Sequence, residues 1–315
     1  MKDDIPRLVR KFDDPYVTAD GQNRAQVALE GLSTLWFNTG TLCNIACGHC
    51  YIESSPKNDR LAYLSAAEVA AYLDELDSRQ DRPAEIGFTG GEPFLNPDIL
   101  AMLEDVLRRG YQLLILTNAM QPMMRPRLRQ GLERLQKSYP GQMTFRVSLD
   151  HFTPARHDEE RGEGCFAAAL AGMHWLQDQG IALAVAGRYL WHDSEAEMRA
   201  GFAKLFEEEA LALNAMDPGQ TVLFPEMDET TDVPEITEAC WGILGKSPSQ
   251  VMCASSRMVV KRKDAQHPTV LACTLLAYDR NFELGETLAE ADRPVQLNHR
   301  HCAKFCVLGG ASCSA

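Results

Sequence analysis

Short apolar runs rich in strand formers alternate with segments of helical spacing through the middle of this 315-residue chain, and that rhythm constrains its fold more than any other feature. The strand candidates are Thr34–Thr39, Glu85–Thr89, Tyr111–Thr117, Thr144–Leu149, Ile181–Arg188 and Thr221–Phe224. Between them Ser65–Ser78, Pro97–Arg109, Pro126–Ser138, Cys165–Gln179 and Ser194–Leu213 read as helices. Ser65 with Glu68 fits a capping box, and Gly110 and Gly180 fit the residue just past a helix. Such alternation predicts parallel strands joined by right-handed crossovers, hence an α/β fold: an open, partial (β/α)6 barrel over residues 33–230. Residues 1–32, polar and weakly periodic, read as an amino-terminal extension. After residue 230 the rhythm stops. Met258–Lys261 and Thr269–Cys273, either side of a polar stretch, predict a β-hairpin within a small second domain over 231–315.

Charge and cysteine content narrow the chemistry. A formal net charge of -13 argues against nucleic acid or an anionic membrane as partner. The basic run from Arg125 to Lys137 reads as the solvated face of a helix. The amino terminus is charged and no stretch reaches about 18 apolar residues, so a cytoplasmic protein is expected. In a reducing compartment ten cysteines are better explained by metal than by disulfides.

Cys43, Cys47 and Cys50 follow the first predicted strand directly. Three thiolates that close together on a loop can hold three corners of a [4Fe–4S] cluster, leaving the fourth iron open to an exogenous ligand. A zinc site would need a fourth ligand. His49 is available, though its place inside the Cys47–Cys50 turn makes a joint tetrahedral grip awkward.

The spacing Cys-x3-Cys-x2-Cys with aromatic Tyr51 next, after Thr41-Leu-Cys43-Asn44, resembles the signature of the radical SAM superfamily. Later strand ends extend the resemblance over roughly residues 34–225: Thr89-Gly90-Gly91-Glu92-Pro93 is similar to the family's GGEP element, and Ser148-Leu149-Asp150 with His157-Asp158 and Arg161-Gly162 to its SLD…HD..RG stretch. It implies a TIM-like barrel in which the open iron chelates S-adenosylmethionine and one electron gives methionine and a 5′-deoxyadenosyl radical. A flavodoxin- or ferredoxin-type donor is implied as well. Tyr51, Gly90, Gly91, Glu92, Asn118, Ser148, Arg161 and Arg188 are expected around that ligand. Glycines admit close approach to the backbone, Glu92 suits a cationic amine, and guanidinium suits a carboxylate. Asn118 is equally readable as a turn former, Asp150 as a residue that orients its loop, and Arg188 as a substrate anchor or a structural ion pair.

Six of the ten cysteines lie beyond residue 230. Cys253, Cys273, Cys302, Cys306 and Cys313 flank and follow the hairpin, and the region resembles the twitch or SPASM domain of radical SAM enzymes. That implies one auxiliary [4Fe–4S] cluster. Five candidates exceed four positions, so one of the last three is spare or a substrate site is open. A zinc ribbon, helped by His299 and His301, is the competing reading. Cys165 and Cys240 read as buried thiols, with Cys240 near enough to be an alternative ligand.

These features favour a radical SAM oxidoreductase in which an auxiliary cluster assists dehydrogenation or bond formation. With about thirty residues before the barrel, a small-molecule substrate is the first expectation and a peptide or protein the second. An iron–sulfur electron carrier or sensor without catalysis is the alternative of another class, and it leaves Glu92, Ser148 and Arg161 without a purpose. Asp217, Glu226 and Asp228 are candidate bases by position alone.

Overall fold

The computed structural model describes residues 10–79, 82–226 and 231–309. A short strand β1 (Gln26–Val27) precedes six strands in one parallel array: β2 (Thr34–Asn38), β3 (Glu85–Thr89), β4 (Gln112–Thr117), β5 (Met143–Ser148), β6 (Ala182–Tyr189) and β7 (Thr221–Pro225). The connections carry α1 (Ala66–Ser78), α2 (Ile99–Arg108), α3 (Pro126–Ser138), α4 (Pro154–Arg161), α5 (Cys165–Asp178) and α6 (Glu195–Glu208), and a one-and-a-half-turn α7 (Ala239–Leu244) follows. The partial barrel expected from the alternation is present. Ser65 and Ser194 start α1 and α6 with complete capping boxes, closed by Glu68 and Glu197. Helix α4 is not foreseen by apolar periodicity. Its eight residues are mostly charged, and Pro154 at its start and Gly162 (φ +107°) at its end delimit it instead.

The carboxyl-terminal hairpin extends this same sheet. Strand β8 (Ser256–Val260) lies parallel to β2, and β9 (Thr269–Leu271) and β10 (Glu283–Gly285) follow antiparallel. The order β10-β9-β8-β2-β3-β4-β5-β6-β7 leaves β10 and β7 as edges, so the barrel stays open. Residues 10–32 are woven in rather than loose. Strand β1 pairs with β11 (Val295–Gln296), and the buried Arg24 pairs with Glu235 at 2.5 Å.

Every residue of β2 is buried, as in a sheet covered on both faces. Leu35 and Phe37 pack toward the helices, while Trp36 between them joins an inner core with Leu114, Met258 and Phe305. Several members of this inner core, among them Trp36, Ile52, Ala186 and Phe224, also line the cavity at the carboxyl ends of the strands. Among the described residues no helix is long and apolar enough to cross a membrane.

Candidate active site

Asn38, Thr89, Thr117, Ser148, Arg188 and Phe224, from the carboxyl ends of β2 to β7, line a single cavity of about 1070 Å³ measured to its open mouth. That is the end where barrel folds place catalytic groups. Cys43, Cys47, Cys50, Tyr51, Gly90, Gly91, Asn118, Asp150 and Arg161 line it as well.

The loop that carries the first three thiols is held from several sides. Thr39 donates its amide to Thr89 O, Gly91 to Gly40 O, and Glu92 to Leu42 O. The two glycines exist for this contact: a Cβ on Gly90 (φ +144°) would lie 2.6 Å from Gly40 O, and one on Gly91 would overlap the Leu42 carbonyl. What approaches their backbone is thus the thiol loop itself, in addition to any ligand in the cavity. On the other side Glu160, a buried residue of α4, accepts the His49 amide at 2.6 Å and lies 2.8 Å from His49 Nδ1. Its backbone carbonyl accepts from Gly48 N. Arg188 pairs with Glu160 at 3.2 Å, donates to His49 O, and places its guanidinium 4.8 Å from the centre of the Tyr51 ring.

Glu92 stands behind the cavity wall. It is buried, and its carboxylate accepts from Phe94 N, from Asn118 N at 3.0 Å, and from Thr117 Oγ1 with both oxygens. Burial pushes it up to about 7, against the pull of those donors. Asn118 is similarly engaged, its Nδ2 on Asn44 and its Oδ1 receiving Met120 N. Arg161 forms a two-pronged ion pair with Asp150 at 2.6 and 2.9 Å. Burial disfavours both charges, yet each partner overrides it: Arg161 is held above its ordinary value and Asp150 below. Asp150 N donates to Nδ1 of the buried His157, and Asp158 caps α5 through Gly164 N and Phe166 N.

A second, smaller and apolar cavity lies against the first. Cys253, Cys273, Cys302 and Cys306 all line it, together with His301, and Leu275 is common to both cavities. Cys302 and Cys306 stand four residues apart on a π-helical turn, Cys302–Leu308. Arg257 donates to Cys253 O and Ser256 O and so braces the first of these thiols. Among the described residues no three His, Cys, Asp or Glu side chains converge as on one metal ion. The thiols surround a space instead. Cys240 is outside that wall and accepts Thr237 N, Cys165 is bonded to Arg161 O, and Cys313 lies outside the described residues.

The model of the Radical SAM superfamily matches residues 37–203, a span that holds every strand-end group of the first cavity from Asn38 to Arg188. The chain belongs to the radical SAM superfamily. It is accordingly an enzyme of S-adenosylmethionine and a [4Fe–4S] cluster. Two curated relatives are each 32% identical: the antilisterial bacteriocin subtilosin biosynthesis protein AlbA of Bacillus subtilis, over 60% of this chain and 41% of its own length, and Fe-coproporphyrin III synthase of Methanosarcina barkeri, over 46% and 34%. The chain thus spans less than half the length of either. Among solved structures, Streptococcus suis SuiB bound to S-adenosylmethionine superposes with a TM-score of 0.59 over 81% of this chain and 63% of that one, at 12% identity, a likeness of fold.

The residues present fit a radical SAM site. Burial pushes the Cys43 thiol up to about 12 and that of Cys47 to about 11, so bare thiols here are neutral and thiolates persist only when bound to a cation. Asn38 adds a buried Nδ2 without a partner on the cavity wall, a donor left for a ligand. Of the candidate bases, Asp217 is spent on a turn with Gly219 N and Gln220, Glu226 is not on the wall, and Asp228 lies outside the described residues. Sequence reasoning misses Glu160 and Asn38. The signal for Glu160 is its place beside Arg161 on a helix too polar to be recognised by periodicity; Asn38 has none beyond ending a strand.

Proposed function

We propose that this radical SAM enzyme oxidises a peptide substrate, with Cys43, Cys47 and Cys50 holding the cluster whose open iron takes S-adenosylmethionine. Cys253, Cys273, Cys302 and Cys306 hold an auxiliary [4Fe–4S] cluster in the second cavity. The observation that carries this reading is that two thiol-lined cavities lie back to back, separated by Leu275. When bound, the first cluster and S-adenosylmethionine supply a 5′-deoxyadenosyl radical, on an electron from a flavodoxin- or ferredoxin-type donor.

The chain's own groups prepare that chemistry. Gly90, Gly91, Asn118 and Ser148 border the ligand, Arg161 offers it positive charge while Asp150 fixes its plane, and Asn38 offers a free amide. Glu92 acts from behind the wall by fixing Thr117 and the Asn118 amide, in place of direct contact with an amine. Arg188 anchors the thiol loop through His49 and Glu160. The wall beyond these groups includes Trp36, Ile52, Leu116, Ala186, Phe224 and Leu275, an apolar surface that keeps water from a carbon radical and suits a hydrophobic side chain.

A peptide is favoured over a small molecule by the relatives. AlbA is a bacteriocin biosynthesis protein, and SuiB has been captured with its precursor peptide SuiA. The Fe-coproporphyrin III synthase relative supports a tetrapyrrole as the second reading. Anaerobic turnover with short peptides encoded beside this gene, and separately with a porphyrin-type precursor of Fe-coproporphyrin III, distinguishes the two. A peptide mass loss of two hydrogens with matching 5′-deoxyadenosine supports the proposal; 5′-deoxyadenosine that responds only to the porphyrin overturns it.

A further inference from the structure

Cys50 is followed by a tight turn. Glu53 N donates to Cys50 O at 3.1 Å, Glu53 adopts φ +50°, and Ser54 N points at Cys50 Sγ at 3.3 Å. A non-glycine residue at such a φ is held there by its surroundings. The holder comes from the segment that follows Cys273: Tyr278, five residues on, donates its hydroxyl to Ile52 O at 2.7 Å in the middle of the turn. Asn58 Nδ2 completes the arrangement, 3.0 Å from Tyr278 Oη and 2.8 Å from Glu53 O. Arg60 covers the phenol ring, its guanidinium carbon 3.4 Å from the ring centre. A second contact runs in parallel. Phe305, between Cys302 and Cys306, stacks on Phe224 at 5.6 Å and meets Tyr51 edge-on at 6.4 Å.

We propose that Tyr278 is a positioning residue for the first cluster: it fixes the Cys50–Ser54 turn, and through it the N–H···S bond on Cys50, according to whether Cys273 and its partners are holding iron. An N–H donated to a ligating sulfur stabilises the more negative, reduced cluster and raises its potential. Occupancy of the auxiliary site is thereby coupled to the reducibility of the radical-generating one. The residues that carry the coupling are Tyr278 on the Cys273 segment and Phe305 on the Cys302–Cys306 segment.

The inference rests on the reading of both thiol sets as cluster sites, and the test separates the two. The midpoint potential of the first cluster is measured by EPR-monitored titration, with iron content, in wild type, Tyr278→Phe, Cys302→Ala and the double variant. A wild type with about four iron per chain removes the two-cluster reading itself. With that reading intact, Tyr278→Phe should keep its iron yet be reduced about tenfold less readily, 59 mV more negative for one electron. Cys302→Ala should shift the same way, and the double variant should add little further. Unchanged potential in Tyr278→Phe, or fully additive shifts, overturns the proposal. Should Tyr278→Phe fail to load iron, Asn58→Ala, which loosens the same turn from its other side, carries the same expectations.

Discussion

Glu160 grips His49 twice, by its backbone amide and by its imidazole, and the same carboxylate is the ion partner of Arg188. Glu160 and Arg188 are both buried, whereas His49 is more than half exposed. The carboxylate therefore joins the rim of the thiol loop to the barrel interior. Glu160→Ala leaves Arg188 buried without its counter-charge, a loss of about 3–5 kcal/mol. The expected outcome is a lower melting temperature and first-site iron below half of wild type. Glu160→Gln, which retains an acceptor for the His49 amide, should load iron better than the alanine variant. An alanine variant with full iron and wild-type stability would show that the loop holds itself.

Glu92 makes a counter-intuitive prediction for an isosteric change. Both of its oxygens face donors only: Phe94 N and Thr117 on one, Asn118 N and Thr117 on the other. In Glu92→Gln the new NH2 must face a backbone N–H, leaving a buried donor unsatisfied at about 1–3 kcal/mol. Denaturant unfolding should register that loss, and S-adenosylmethionine affinity should fall with it because Asn118 shifts. A direct-contact role for Glu92 predicts the opposite pattern, lost affinity at full stability.

The strands, the first thiol set and the glycine element were legible in sequence because each is written locally, in a period of two, a spacing of cysteines or a Gly-Gly pair. Even so, the reason for Gly91 was only half visible: the backbone that its hydrogen makes room for belongs to Leu42, some fifty residues away. Glu160 and Asn38 were not legible at all. A carboxylate in a charged run reads as solvated until the fold turns it inward, and a lone Asn at a strand end resembles any turn former. Of the tail cysteines, sequence offered five for four places, and only the fold sets Cys253, Cys273, Cys302 and Cys306 around one space. The substrate was least legible because the apolar wall is assembled from residues on separate strands and loops.

His157 sets a pH dependence. It is fully buried, and burial pushes it down to about 4, while the unfolded chain's histidine titrates near 6.5. Above pH ~6.5 neither state carries the extra proton and the contribution is whole. As pH falls from 6.5 toward 4 the unfolded state takes up a proton the folded state refuses, and up to ~3 kcal/mol is lost. Glu92, raised to about 7, tilts stability the other way over an overlapping window, and His301, also pushed to about 4 by burial, adds to the acid loss. The difference between wild type and His157→Phe isolates the one residue. The variant should be less stable at pH 7.5 by about 1–3 kcal/mol, since the Asp150 amide loses its acceptor, and that deficit should shrink toward pH 5. A deficit constant with pH would mean that His157 titrates alike in both states.

Iron content tests the assignment of the thiols directly. Two cubane clusters bring about eight iron per chain, and losing either set leaves about four. Cys43→Ala should remove the first cluster and all cleavage of S-adenosylmethionine while the auxiliary iron stays. Cys253→Ala, Cys273→Ala, Cys302→Ala and Cys306→Ala should each deplete the second site and spare reductive cleavage in the absence of substrate. Cys240→Ala and Cys165→Ala should hold full iron, because the first thiol is outside the four-thiol wall and the second is bonded to Arg161 O. Burial supports the same division: Cys253 is pushed up to about 11 and Cys302 is held well above the ordinary thiol value, so these thiols are poor free thiolates and need a cation to ionise. If Cys240→Ala lowers iron by about four while Cys306→Ala does not, the ligand set shifts from the π-helical turn to α7, and Phe305 loses its place between two ligands.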